Sequence, residues 1–249
     1  MKSFIPEIGC SIPRADGEAK VSGEEKYATD HYGDGLLWAG VRRAGIPHGR
    51  IRGLDAGQAK NLPGVIAILT GRDVPGTNRQ GIVHKDQPVL CTDKIRHRGD
   101  PVALVLAEDR TVLAQALALI TVDIEPLPGI FSIDDALRPD APLVHEEHSG
   151  SNVLLAATVD KGNAEEAFSE CDVILEETFT VPSVAHAFLE TENGIAWQEP
   201  DGKIVLVVST QAPFRDRFEI SHALGIPMDR LRIIGPYLGG GFGGKDGAT

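Results

Sequence analysis

"STQAPFRDRFEISHALGIPMDRLRIIGPYLGGGFGGKD", residues 209–246, decides how this chain is read. Pro213 suits the first turn of a helix, because it has no N–H to leave unpaired and its φ is already helical. Phe214, Phe218 and Ala223 fall on one side of that helix, and Gly225 ahead of Pro227 supplies a cap and a stop. "DRLRIIG" (229–235) reads as a strand. It runs into a loop in which six of the seven residues from Gly239 to Lys245 are Gly or Lys. Just upstream, "GIAWQEPDGKIVLVVSTQ" (194–211) reads as a β-hairpin turning at Pro200-Asp201-Gly202.

Glycine lets main chain take positive φ and approach a bulky ligand closely. Successive N–H groups in such a turn make an anion-binding nest. A large anionic cofactor lying against backbone is therefore a reading of the loop alone. Two stock motifs match in form: Gly239-x-Gly241-x-x-Gly244 as a dinucleotide fingerprint, and Gly239-x4-Gly244-Lys245 as most of a P-loop. Neither is specific. Asp246 stands where a P-loop needs a hydroxyl for magnesium, and no βαβ unit with a downstream acid follows. A Gly-rich tail holding nothing is the plain alternative, and the ring of Phe242 speaks against it.

Outside this stretch, "PVALVLAEDRTVLAQALALITVDIEPLPGI" (101–130) is the clearest unit. It predicts a strand Val102–Ala107, an Asp109 cap, a helix Thr111–Leu119 and a strand Thr121–Glu125. Leu113, Ala116, Leu117 and Ile120 share one face of the helix. Further strands are expected over 35–43 and 65–70, with Asp55 capping a short helix between them. Residues 134–152, with two Pro, several acids and a Ser/Gly cluster, read as a linker. Beyond it, Asn163 caps a short helix. Asp172–Val181 then alternates as a strand, with Val173, Leu175, Phe179 and Val181 on one face.

A net charge of −12 argues against a nucleic-acid binder and gives no basic handle for a membrane surface. The start, "MKSFIPEIGC", lacks the apolar run of a signal peptide. Cys10, Cys91 and Cys171 form no CxxC pair, so no metal site is expected from them, and three such thiols fit a reducing cytoplasm. "HEEH" (145–148) has the wrong spacing for a zinc helix and reads as solvated linker. His97 between two arginines reads as a surface turn, and His186 with Glu190 as a core pair. No GxSxG supports a serine hydrolase.

Thr-Gln, a helix, Leu-Gly-Ile-Pro, a strand and Gly-Gly-Gly-Phe-Gly-Gly-Lys, in that order, resemble the molybdenum hydroxylase family of xanthine dehydrogenases, aldehyde oxidoreductases and carbon monoxide dehydrogenases. "LPGVIAILTGRDVPG", "PVLCTDKIRHRGDPVALVLAEDR", "VDIEPLPGIFSIDDAL" and "HAFLETENGIA" resemble successive segments of the same large subunit. The resemblance implies an α/β (α+β) fold: an arm (1–14), an α/β hammerhead domain (15–133), the linker (134–152), and the start of a molybdopterin-binding domain (153–249).

By position, the resemblance implies that Gln211 donates a hydrogen bond to an oxygen ligand of molybdenum. It also implies that Gly240, Gly241, Phe242 and Gly243 bring main chain against the cofactor, and that Asp246 is a candidate substrate contact. His186 and Glu190 match a His-x-x-x-Glu segment expected to give support. The activity implied is water-derived hydroxylation of an N-heterocycle or an aldehyde. The cofactor implied is molybdenum–molybdopterin in its cytosine dinucleotide form. [2Fe–2S] and FAD are expected on partner subunits, and the general base and remaining cofactor domains on polypeptide beyond Thr249, in a separate chain or lost by truncation. The isolated chain is then expected to be inactive. A hammerhead scaffold without cofactor is the alternative reading.

Overall fold

The computed structural model describes residues 9–148 and 150–247. Most of the expected N-terminal arm, residues 1–8, lies outside the described residues. A six-residue helix α1 (Gly17–Ser22) comes first. The chain then builds two compact units that do not follow chain order: one gathers 39–71 and 90–185, the other 1–38, 72–89 and 186–249.

The first unit carries two three-stranded sheets. One orders β1 (Trp38–Arg43), β5 (Pro101–Ala107) and β3 (Val65–Leu69) with β5 central. The other orders β4 (Lys94–Ile95), β2 (Gly49–Asp55) and β6 (Thr121–Pro126) with β2 central. The unbroken apolar run of β5 suits its central place, where Val102, Ala103, Val105 and Ala107 are all buried. Helix α2 (Gly57–Lys60) is a single turn, and the Asp55 carboxylate accepts from Gly57 N.

Helix α3 (Arg110–Leu119) starts where Asp109 accepts from Val112 N at 2.8 Å. Its Ala116 is buried in one core cluster with Ala103, Val105 and Ile120. Leu113 and Leu117 lie so close over Gly40 of β1 that a Cβ there would meet them at 3.0–3.2 Å. A bare backbone at Gly40 is what lets the helix sit on the sheet.

The acidic stretch read as solvated linker is tethered. After helix α4 (Ile133–Leu137), the buried Lys94 ammonium donates to the carbonyls of Leu143 and Val144, each at 3.0 Å, and pairs with Glu146 at 2.8 Å. Asn152 ties the same stretch through Val144 N and Pro142 O. The linker therefore satisfies a buried cation, which a freely solvated segment could not do.

Asn163 caps helix α5 (Ala164–Ser169) as expected. The strand expected over Asp172–Val181 is absent: the segment has no regular structure, and Val173, Leu175, Phe179 and Val181 are exposed. Alternation describes a strand only where a neighbouring edge completes its hydrogen-bond ladder. Among the described residues no segment supplies that edge.

The second unit centres on the hairpin β7 (Gly194–Gln198) and β8 (Ile204–Val208), paired antiparallel. Helix α6 (Pro213–Leu224) then leads to β9 (Leu231–Ile234), which pairs parallel to β8. Pro213 opens α6, and Gly225 closes it in the left-handed region at φ 65°. Residues 72–89 belong here as well: Gly76 N and Thr77 N donate to the last-turn carbonyls of Ala223 and His222. Phe214 and Phe218, which share one side of α6, are both exposed.

Candidate functional site

The topology collects three chain ends at one edge of this sheet. Ser209–Gln211 leave the carboxyl end of β8, and Gly235 onward leave the carboxyl end of the parallel β9. Because β7 is antiparallel with Gly194 opposite Val208, residues 190–193 arrive at that same edge. The carboxyl ends of parallel strands are where open α/β sheets bind ligands.

Gln211 is wired to the loop by both its backbone and its side chain. Its N–H donates to Lys245 O at 2.9 Å, and its Oε1 accepts from Gly243 N at 3.0 Å and Lys245 N at 3.2 Å. Two N–H donors facing the carboxamide identify that end as oxygen and leave Nε2 pointing away from them. Gly241 passes so close that a Cβ would sit 2.3 Å from Oε1, so any larger residue would displace the glutamine. Gly240 and Gly243 take positive φ, and so does Phe242, at 53° with its ring exposed. Among the described residues, the N–H groups of Gly240, Gly241 and Phe242 and the Nε2 of Gln211 reach no protein acceptor. The loop thus combines adjacent donors with no carboxylate among them, a donor set suited to an oxygen-rich anionic group.

Lys245 is fully buried, at 0% exposure. Its ammonium donates to Glu190 O at 2.7 Å, Glu190 Oε2 at 3.0 Å and Ser209 Oγ at 2.5 Å, and lies 4.6 Å from the centre of the Phe188 ring. All three N–H donors are engaged. The P-loop reading therefore fails, since its lysine must reach phosphate. Glu190 Oε2 also accepts from Gly239 N at 2.7 Å and from the Ser209 hydroxyl at 2.8 Å. Burial pushes the Glu190 carboxyl up, but the Gly239 N–H, the Ser209 hydroxyl and Lys245 together hold it below the ordinary carboxylate range. The expected His186–Glu190 core pair is not what forms: His186 is exposed, and Glu190 serves Lys245.

Asp246 is exposed and pairs with Arg215 at 2.9 Å. Close by, Asp216 is buried with Oδ1 unpartnered, and burial raises its carboxyl above the usual range. The Lys245–Glu190–Ser209 network leaves no mark in the sequence pattern. A lysine closing a glycine run and a glutamate 55 residues earlier give no local sign of meeting.

Two family descriptions match the chain: "Aldehyde oxidase and xanthine dehydrogenase, a/b hammerhead domain" over residues 22–128 and "Molybdopterin cofactor-binding domain" over 144–249. The "Nicotinate dehydrogenase large molybdopterin subunit" of Eubacterium barkeri is 38% identical over 96% of this chain and 55% of its own length. The "Xanthine dehydrogenase molybdenum-binding subunit" of Escherichia coli O157:H7 is 34% identical over 93% of this chain and 32% of its own. Among solved structures, reconstituted CO dehydrogenase from Oligotropha carboxidovorans superposes with a TM-score of 0.80 at 31% identity, over 96% of this chain and 32% of that one. The chain thus spans between about a third and about a half of the length of these relatives.

The two matched descriptions place a hammerhead domain ahead of a molybdopterin cofactor-binding domain, the pairing read from the sequence. The chain belongs to the molybdenum hydroxylase family, that of xanthine dehydrogenase and aldehyde oxidase.

Proposed function

We propose that this chain supplies one wall of a molybdopterin site in an enzyme that hydroxylates an N-heterocycle or an aldehyde with oxygen from water. The observation that carries the reading is the donor set of Gly240, Gly241, Phe242 and Gln211 Nε2 at the carboxyl ends of β8 and β9. When bound, molybdopterin supplies the two-electron redox chemistry of molybdenum. The residues of this chain bind and orient. Gln211, held through Oε1, presents its N–H2 group to an oxygen of the cofactor. Gly240, Gly241 and Phe242 offer main-chain N–H groups, and Gly243 turns its own N–H inward to hold Gln211.

Asp246, steadied by Arg215, stands at the end of the loop as a substrate contact. The general base comes from polypeptide outside these 249 residues, and the isolated chain is inactive. The cofactor is the cytosine dinucleotide form, the electrons leave through [2Fe–2S] and FAD on partner subunits, and the setting is the cytoplasm. Free cysteines at positions 10, 91 and 171 support a reducing compartment. No helix among the described residues is long and apolar enough to cross a membrane. The domain boundaries 15–133, 134–152 and 153–249 belong to the same proposal.

The test is to purify the chain together with the polypeptide that supplies the remaining length, then measure molybdenum and pterin. Near-stoichiometric metal that falls sharply in Gly240→Val supports the reading. A tight complex lacking both metal and pterin contradicts it and favours a scaffold.

A further inference from the structure

We propose that Lys245, Glu190 and Ser209 act as a buried latch that fixes the glycine loop and thereby sets which end of the Gln211 carboxamide faces outward. This rests on the reading that Gln211 and the loop meet the cofactor. The three are positioning residues, and none of them is offered to the ligand.

The loop is fastened at both ends to one carboxylate. Gly239 N, at its start, and the Lys245 ammonium, at its end, both donate to Glu190 Oε2, at 2.7 and 3.0 Å. Ser209 closes the set by donating to that carboxylate while accepting from Lys245. An ammonium shut off from water in a protein of net charge −12 is held by its partners, because an unpaired buried cation is strongly disfavoured. The carboxylate balances the ammonium, so the latch adds no net charge to the loop.

The latch reaches Gln211 through main chain. Burying the Lys245 side chain places Lys245 N against Gln211 Oε1 and Lys245 O against Gln211 N. A flipped carboxamide would set its N–H2 against two N–H donors and lose both bonds. Releasing Lys245 removes one of those donors and loosens the other, at Gly243, so the carboxamide can turn.

The deciding variant is Lys245→Met with Glu190→Gln. It removes both charges together, keeps an acceptor for Gly239 N, and avoids leaving a lone buried ion. Hydrogen exchange is read residue by residue in the full chain. The expected result is at least a tenfold acceleration at Gly243 and Lys245, with the amides of β8 unchanged. No acceleration in the loop overturns the latch. Equal acceleration in β8 does so too, since it shows a general loss of structure.

In the assembled enzyme, the same variant is expected to keep its metal and lower kcat by at least tenfold, with KM changed less than threefold. Unchanged kcat overturns the positioning role. Gln211→Ala separates this inference from the reading beneath it: if Gln211→Ala impairs turnover and the latch variant does not, only the latch is wrong. If neither does, the cofactor reading is wrong.

Discussion

Gln211 and Lys245 exchange two hydrogen bonds: Gln211 N donates to Lys245 O at 2.9 Å, and Lys245 N donates to Gln211 Oε1 at 3.2 Å. A residue leaving β8 is thereby joined to one that follows β9 by 11 positions. Gln211→Glu keeps an oxygen for the two loop N–H groups, so unfolding in urea should stay within about 1 kcal/mol of the parent. Gln211→Ala leaves two donors unpaired and should lose about 1–3 kcal/mol. Both remove the outward N–H2, and both should abolish most turnover of the assembled enzyme. A Gln211→Glu enzyme with parental kcat would contradict the donor role.

Phe242 holds φ 53° with its ring 76% exposed. Such a conformation costs a side-chain-bearing residue roughly 1–2 kcal/mol. Phe242→Gly should therefore fold with a stability no more than about 1 kcal/mol below the parent, because the relieved backbone offsets glycine's greater chain entropy. Phe242→Val, β-branched, should be less stable than Phe242→Gly by a similar amount. Thermal melts of the three proteins decide this, and a Val variant as stable as the Gly variant contradicts the assigned backbone.

His97, expected in a surface turn, lies with Nε2 2.6 Å from the buried Asp100, whose other oxygen accepts from Arg96 N and His97 N. The bond to Asp100 raises His97. Burial pushes Asp100 up, but His97 and the two N–H groups outweigh it and hold it below its usual value. The raised histidine contributes stability that is complete below its unfolded pKa of about 6.5 and is lost as pH climbs through the folded value. The depressed aspartate contributes above about 3.9, and that contribution is lost as pH falls through its folded value. The melting difference between parent and His97→Gln should thus be largest between about pH 4 and 6.5 and shrink above it. A difference that does not vary with pH contradicts the pairing.

Asp216 is buried with one oxygen unpartnered, and burial raises its carboxyl. The folded state therefore keeps that proton to higher pH than the unfolded chain, and stability declines as pH rises above about 3.9 through the folded value. Asp216→Asn removes that decline. Relative to the parent, it should melt higher at pH 7 than at pH 3, and the opposite order in melts at the two pH values contradicts the assignment.

The 101–126 unit was legible because its signals are local: an apolar run for β5, Asp109 three residues before the N–H it caps, and a 3.6-residue stripe for α3. The same holds for Pro213 and Gly225 at the ends of α6. Asp172–Val181 misled because alternation shows which face is apolar, and not whether an edge exists to pair with. Lys94 under "HEEH", and residues 72–89 against the end of α6, depend on meetings across 49 and more than 100 positions, which no local pattern carries. At the candidate site, the resemblance singled out Gln211 and the glycines, and the structure brings them together. The burial of Lys245 was not legible, because a lysine in an acidic protein reads as solvated until its three acceptors are seen together.

The most direct measurement is a structure of the cofactor-loaded assembly containing this chain. Gln211 Nε2 and the N–H groups of Gly240–Phe242 should lie about 3 Å from cofactor oxygens, with Lys245 still buried on Glu190. A loaded assembly in which this loop faces solvent, away from the pterin and its metal, would contradict the account.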